Sequence, residues 1–172
     1  MLTIHKITYT SVASSKELTE LSALLQDAVN GGASVGFLAP LSSEAAQSYW
    51  TETFSSLGEA THLWLAQEND EIVGAVQLVC ASRENAHYRA EVQRLFVHSA
   101  HRGKGIASQL MSALESFAKE NGRTLLVLDT QTGSAAESIY RHLGWLEVGQ
   151  IPNYAADPNG VLCATSYFYK QL

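Results

Sequence analysis

Long apolar runs are missing from this 172-residue sequence. No stretch reaches the ~18 apolar residues that a membrane helix requires. The opening MLTIHKITYT lacks the basic-then-apolar order of a secretory leader. The expectation is a cytoplasmic protein with no membrane partner. Cysteine is scarce. Cys80 and Cys163 are the two present, each inside an apolar run, where a thiol reads as an ordinary buried side chain and not as part of a disulfide framework. The six His are scattered without HxxxH spacing, so no metal is expected. Basic residues are outnumbered, 11 Lys and Arg against 17 Asp and Glu, a net charge of −6. Nucleic acid wants the opposite balance and is not an expected partner, whereas a cationic or amine ligand is compatible. Repeats, linkers and low-complexity segments are absent as well. What is present is a 46% hydrophobic share, enough to build the core of one domain spanning 1–172.

Periodicity divides the chain into alternating elements. Residues 2–9 alternate as a strand. Ser14 with Glu17 forms a capping box for a helix carrying Leu18, Leu21, Leu25 and Ala28, stopped at Asn30-Gly31-Gly32. The loop 31–40 contains Val35, Phe37 and Leu38, which pack on the core or line a pocket. Ser42 caps a second helix through Ala45, Ala46, Tyr49, Trp50 and Phe54. Residues 61–81 read as a hairpin around Asn69-Asp70, and 87–97 as a third strand. A helix follows with Ile106, Leu110, Ala113, Leu114 and Phe117 on one face. The run TLLVLDT (124–130) is almost wholly apolar, as in a strand covered on both faces and paired in parallel. Ser134 with Glu137 suggests another capping box, for a helix that ends at Gly144. WLEVGQIP and VLCATSYFYK read as two strands around a turn-rich NYAADPNG. The last strand and tail offer a sheet edge to a second copy, so a monomer or a homodimer is compatible.

The stretch Glu91–Gly122 organises this pattern. It runs from a strand through Arg102-Gly103-Lys104-Gly105-Ile106-Ala107 directly into a helix. Unpartnered N–H groups at a helix start, glycines that admit close approach and two cations suit a pyrophosphate. The Walker pattern GxxxxGK[ST] is not there. A dinucleotide fingerprint fails because Ser108 stands where the last glycine belongs. Taken alone, a basic glycine turn is also compatible with a merely structural turn bearing solvated charges. His98 and His101 beside it read as solvated.

RGKGIA resembles the Arg-x-x-Gly-x-Ala loop of the GNAT superfamily of acyl-CoA-dependent N-acetyltransferases. The preceding LFV resembles the strand that lines the pantetheine, and Tyr140 ahead of Leu143-Gly144-Trp145 resembles the family's tyrosine-bearing helix. Trp145 stands where Phe is usual, and Gly133-Ser134 where many members have Asn. GGASVGF, RAEVQRL, LDT with GSAAES, and the tail IPNYAADPNG…TSYFYK further resemble the tabtoxin-resistance subgroup over most of the chain. The resemblance implies an α/β mixed sheet: a twisted, largely antiparallel sheet of about seven strands with a parallel pair at the cofactor site, flanked by about four helices. It implies direct acetyl transfer from acetyl-CoA to a primary amine of a small molecule, with an amino-acid-like or β-lactam toxin as a plausible acceptor. A lysine or N-terminal protein acetyltransferase and a non-catalytic acyl-CoA sensor are the alternatives.

Roles follow from the chemistry of that transfer. An ammonium has no lone pair, so a carboxylate must take its proton, directly or through water; Glu91 and Asp129 are the candidates. Asp129 closes an apolar run and is expected to be partly desolvated. Tyr140 can protonate the departing thiolate, unless it is only a core tyrosine beside Ile139 and Leu143. The thioester oxygen needs a donor, which the family draws from a backbone N–H of this strand, here Phe96 or Val97. Leu95, Phe96, Val97, Arg102, Gly103, Lys104, Gly105, Ile106, Ala107, Ser134 and Tyr140 are the candidate cofactor contacts. Val35, Phe37 and Trp50, with Glu91 and Asp129, are the candidate acceptor contacts; the aromatics serve equally well as core between the first two helices.

Overall fold

The computed structural model describes residues 1–8 and 13–172. The far end of the first predicted strand, at Tyr9, lies outside them. Among the described residues one sheet is formed by β1 (Leu2–Ile7), β2 (Thr61–Glu68), β3 (Glu71–Cys80), β4 (Arg89–Val97), β5 (Leu125–Gln131), β6 (Leu146–Ala156) and β7 (Leu162–Gln171), in the order β1-β2-β3-β4-β5-β7-β6. All neighbours are antiparallel except β4 and β5. Helices α1 (Ser15–Asn30) and α2 (Ser43–Ser56) cover one face, and α3 (Ile106–Glu120) and α4 (Ala135–His142) cover the other. This is the mixed α/β architecture expected above.

Two apolar layers sandwich the sheet. Strand alternation sends Leu63, Leu65, Ala75 and Phe96 toward α1 and α2, and Trp64, Val76, Val92, Leu126, Leu128 and Phe168 toward α3 and α4. The Ser14–Glu17 capping box forms with both of its hydrogen bonds, and the β2–β3 turn places Asn69 and Asp70 at φ 53° and 65°, as a two-residue hairpin loop requires. Met111 and Ala118 join the predicted buried face of α3. Gly74 permits α3 to approach, because a Cβ there would meet the Phe96 carbonyl oxygen at 3.0 Å and Leu110 at 3.1 Å.

Four expectations need correction. Asn153, Tyr154 and Ala155 belong to β6, which continues to Ala156, so the turn is confined to the residues before Leu162. Bulges in β6 let it absorb Asn153, Tyr154 and Ala155, which read as part of a turn. The last strand is not an edge: β7 lies between β5 and β6, and β6 is the edge strand. β5 is fully buried on one face only, at Leu126 and Leu128. Cys80 is buried but Cys163 only half-buried, because it lies near the start of β7.

A pH effect arises in the layer over β2. The His62 ring stands 4.6 Å from Phe117 and 6.2 Å from Trp64, with Lys6 over Phe117. Burial first, then the Lys6 charge, pushes the imidazole down from 6.5 to about 4. Between those values the unfolded chain binds a proton that the folded chain does not. The stability contributed is complete above pH 6.5 and is lost as pH falls toward 4. The melting temperature of His62→Gln is therefore expected to decline less than the parent's over this window. Parallel decline of the two would assign the acid lability elsewhere.

Candidate functional site

The basic loop keeps its donors free. A single turn at Ser99–His101 links β4 to the loop, and Asp27 of α1 anchors that turn by accepting from the Ser99 N–H at 2.8 Å and its hydroxyl at 2.7 Å. Burial alone would raise the Asp27 carboxyl, but these two bonds and nearby cations hold it below its usual range. Gly103 and Gly105 sit at φ 75°, a left-handed conformation that a side chain would strain. The first backbone bond of α3 runs from Gln109 to Gly105. Among the described residues the N–H groups of 103–108 have no backbone acceptor. This is a concentrated set of donors at the positive end of a helix.

The loop's cations are already engaged. Arg102 Nε donates to the Val97 carbonyl at 3.1 Å. Lys104 Nζ lies 3.1 Å from Glu68 Oε2, and His101 Nδ1 lies 2.8 Å from the same oxygen. Both hydrogen bonds hold the Glu68 carboxyl below its usual range. His98 accepts from the Ala100 N–H. The two histidines, expected to be solvated, are thus part of the turn's scaffolding.

β4 and β5 pair at only three positions: Arg89 with Leu125, Ala90 with Leu126 and Glu91 with Val127. Beyond Glu91 the two strands part. The cause lies in β4, where the step from Gln93 to Phe96 faces the shorter step from Gln77 to Ala75 on β3. Arg94, at φ 55°, is the extra residue of this bulge. Past the bulge, Gly74 faces Val97 and the His98 N–H donates to the Val73 carbonyl at 2.9 Å. That pattern makes Gly74/Val97 a non-hydrogen-bonded pair. The Phe96 N–H is therefore directed to β3, while that of Val97 points into the opening toward β5.

Tyr140 packs on one side of the sheet, 5.9 Å from Trp145 and 6.4 Å from Phe168 between ring centroids. Burial first, then the charge of Asp129, raises its phenol well above the ordinary value. Asp129 and Glu91 lie on the opposite side, facing α1 and α2 by strand alternation. Asp129 is exposed, contrary to the desolvation expected for it, and accepts from Thr165 Oγ1 at 2.8 Å. Half-buried Glu91 accepts from Gln93 at 2.9 Å. Tyr167 joins them: the hydrogen bond with Tyr154 (2.9 Å), then burial, then the charges of Asp129, Tyr154 and Glu91 push its phenol up to about 12. Ser134 caps α4 through the Glu137 N–H at 3.2 Å, but Glu137 turns its own carboxylate to the Gly133 N–H at 2.5 Å. The reciprocal bond of a capping box is absent there.

The aromatics expected among the acceptor contacts divide. Trp50 is fully buried between the first two helices and the sheet, 6.2 Å from Phe96. It packs as part of the core over that face. Val35 and Phe37 are half-buried, with the Phe37 ring edge-on to Tyr49 at 5.5 Å. Their loop meets the tail, since the Ala39 N–H donates to the Pro158 carbonyl at 2.8 Å and Ser34 Oγ lies 3.5 Å from the Ala156 oxygen. Sequence reasoning missed Arg94, Tyr49, Gln77, Tyr154 and Tyr167. One signal was available: Gln77 interrupts the apolar run GAVQLVC, yet it is buried and donates to the Tyr49 hydroxyl at 2.8 Å. A surface depression lined by Asn85, Tyr88, Arg89 and Thr124 is at the other end of the parallel pair.

Comparison with known proteins agrees with this geometry. Residues 59–147, just over half of the chain, match the acetyltransferase (GNAT) domain family. N-acetyltransferase 8F1 of Rattus norvegicus is 33% identical over 100 residues, 57% of this chain and 45% of the relative. The match thus spans less than half of that curated relative. An N-acetyltransferase from Staphylococcus aureus Mu50 shares the fold with a TM-score of 0.78 at 18% identity, over 99% of this chain and 98% of that one. The Salmonella typhimurium protein yncA, solved with its cofactor acetyl-CoA, gives a TM-score of 0.75 at 22% identity, over 99% of this chain and 94% of that one.

Proposed function

Because the chain belongs to the GNAT acetyltransferase family, we propose that it transfers the acetyl group of acetyl-CoA to a primary amine of a small molecule. The observation that carries this reading is the parting of β4 from β5 after Glu91 and Val127, with Tyr140 on one face of the opening and Glu91 and Asp129 on the other. A thioester in that opening meets a base from one side and an acid from the other. Contact between the 31–40 loop and the tail narrows the acceptor side, which favours a small molecule over a peptide laid across the sheet. Within the family, the resemblance to tabtoxin-resistance enzymes points to an amino-acid-like or β-lactam toxin as acceptor.

The free N–H groups of 103–108 would hold the pyrophosphate, with Arg102 beside them and Lys104 released from Glu68. Leu95 and Val97 would line the pantetheine, and the Val97 N–H would stabilise the thioester oxygen, since that of Phe96 is spent on β3. The amine lone pair forms the C–N bond, and its proton passes to Glu91 or Asp129, directly or through water. The C–S bond breaks, and the departing sulfur takes the Tyr140 proton, which solvent restores. The products are an amide and free CoA.

Thiol release from acetyl-CoA across a panel of small amines tests this reading. Glu91→Gln and Asp129→Asn separate the carboxylates. The variant lacking the base should lose about 10²-fold or more in kcat, and the other should mainly raise KM. Tight acetyl-CoA binding with no thiol release for any amine would refute the transferase reading.

A further inference from the structure

We infer that Arg94 selects an acceptor carrying an anionic group in addition to its amine, so that the substrate class is zwitterionic. This rests on the transferase reading and deepens it. The sheet face that holds Glu91 and Asp129 also holds Arg94, and among the described residues none of the three has an ion-pair partner within 4.0 Å. Two carboxylates and one guanidinium therefore stand uncompensated on one wall. A plain amine answers only the carboxylates. An amine with a carboxylate or other oxyanion answers both.

Arg94 is built into that position. It is the non-glycine bulge residue at φ 55° in the middle of β4. A left-handed arginine inside a strand is costly and persists where the surroundings enforce it. Its Nη1 donates to the Val35 carbonyl, its guanidinium lies 5.7 Å from the Tyr49 ring, and Gly36 leaves room for it, since a Cβ there would come within 3.3 Å of Nη2. Among the described residues one donor is thus used to orient a planar group that carries five, which leaves the other N–H groups for an oxyanion. Arg94 follows Glu91 by three residues, about 10 Å of strand at most before the bulge shortens it. The long arginine side chain brings the two charges within reach of opposite ends of one small molecule.

The test uses the full chain with acetyl-CoA and pairs of acceptors: standard L-amino acids and an amino-acid-like β-lactam, each beside its carboxamide. The acid of a pair should be favoured in kcat/KM by roughly 10- to 100-fold, the scale of a hydrogen-bonded charge contact. Arg94→Gln should abolish that preference, bringing the acid-to-amide ratio of kcat/KM close to one whatever it does to the two rates together, and Arg94→Lys should restore part of it. A purely structural role, clamping the Val35 loop, would depress acid and amide alike and leave their ratio intact. That result, or a parent enzyme with no preference for the acid, would overturn the inference while acetyl transfer stands. Bound acetyl-CoA with turnover confined to amines lacking an anion would also overturn it. Failure to bind acetyl-CoA would instead remove the transferase reading on which it rests.

Discussion

Tyr140→Phe is expected to slow acetyl transfer by about 10²- to 10³-fold, the contribution of one general acid, and to weaken acetyl-CoA binding far less. The substitution removes a single oxygen from a ring that keeps its packing against Trp145 and Phe168. Stability should therefore move little. Burial and the Asp129 charge raise the phenol above its ordinary value, which keeps it protonated at any pH where the acceptor amine is free to attack. Raising that value also makes the phenol a weaker acid. The same burial raises the pKa of a thiol placed beside it, so the match between donor and leaving group is preserved. No alkaline limb assignable to Tyr140 is expected in the parent's pH profile below about pH 10. Equal rates for parent and variant under single-turnover conditions would make Tyr140 a core side chain and place the acid elsewhere.

Trp50→Ala is expected to cost about 3–5 kcal/mol of folding stability, the range for deleting a buried aromatic. Its ring is fully buried against Tyr49 and Phe96, at 5.1 and 6.2 Å between centroids. Among the described residues its indole N–H has no hydrogen-bond partner, so the loss is one of packing alone. Trp50→Phe should cost much less, because it keeps aromatic volume and removes that unpaired donor. Urea denaturation of the two variants measures both. The effect separates core from pocket wall: a wall residue would raise the acceptor KM at nearly constant stability. An Ala variant as stable as the parent would put Trp50 back among the acceptor contacts.

Local signals made most of the fold legible. Capping side chains, glycine stops and the Asn69-Asp70 turn act over a few residues, and the helices and hairpin they predict are present. β6 runs further than its sequence suggests because Asn153 looks like a turn residue in isolation, whereas a bulged edge strand accommodates it without losing a central ladder bond. Asp129 was expected to be desolvated because apolar residues precede it. β5, however, turns alternate side chains to opposite faces and buries only one of them fully. Trp50 and Phe37 looked alike in sequence. Only packing made one core and left the other half-buried beside Tyr49.

By itself the sequence determined the chemistry on offer: a glycine-punctuated turn entering a helix, acids at positions 91 and 129, and a tyrosine ahead of Leu143-Gly144. These are properties of residue type and short spacing. Tertiary structure alone decided how they meet. The bulge at Arg94 parts β4 from β5, directs the Val97 N–H into the opening and turns a guanidinium over Tyr49, on the face that holds Glu91 and Asp129. A bulge is one residue's surplus of one strand over its partner. It exists only once β3 and β4 are paired, and so has no counterpart in the linear chain.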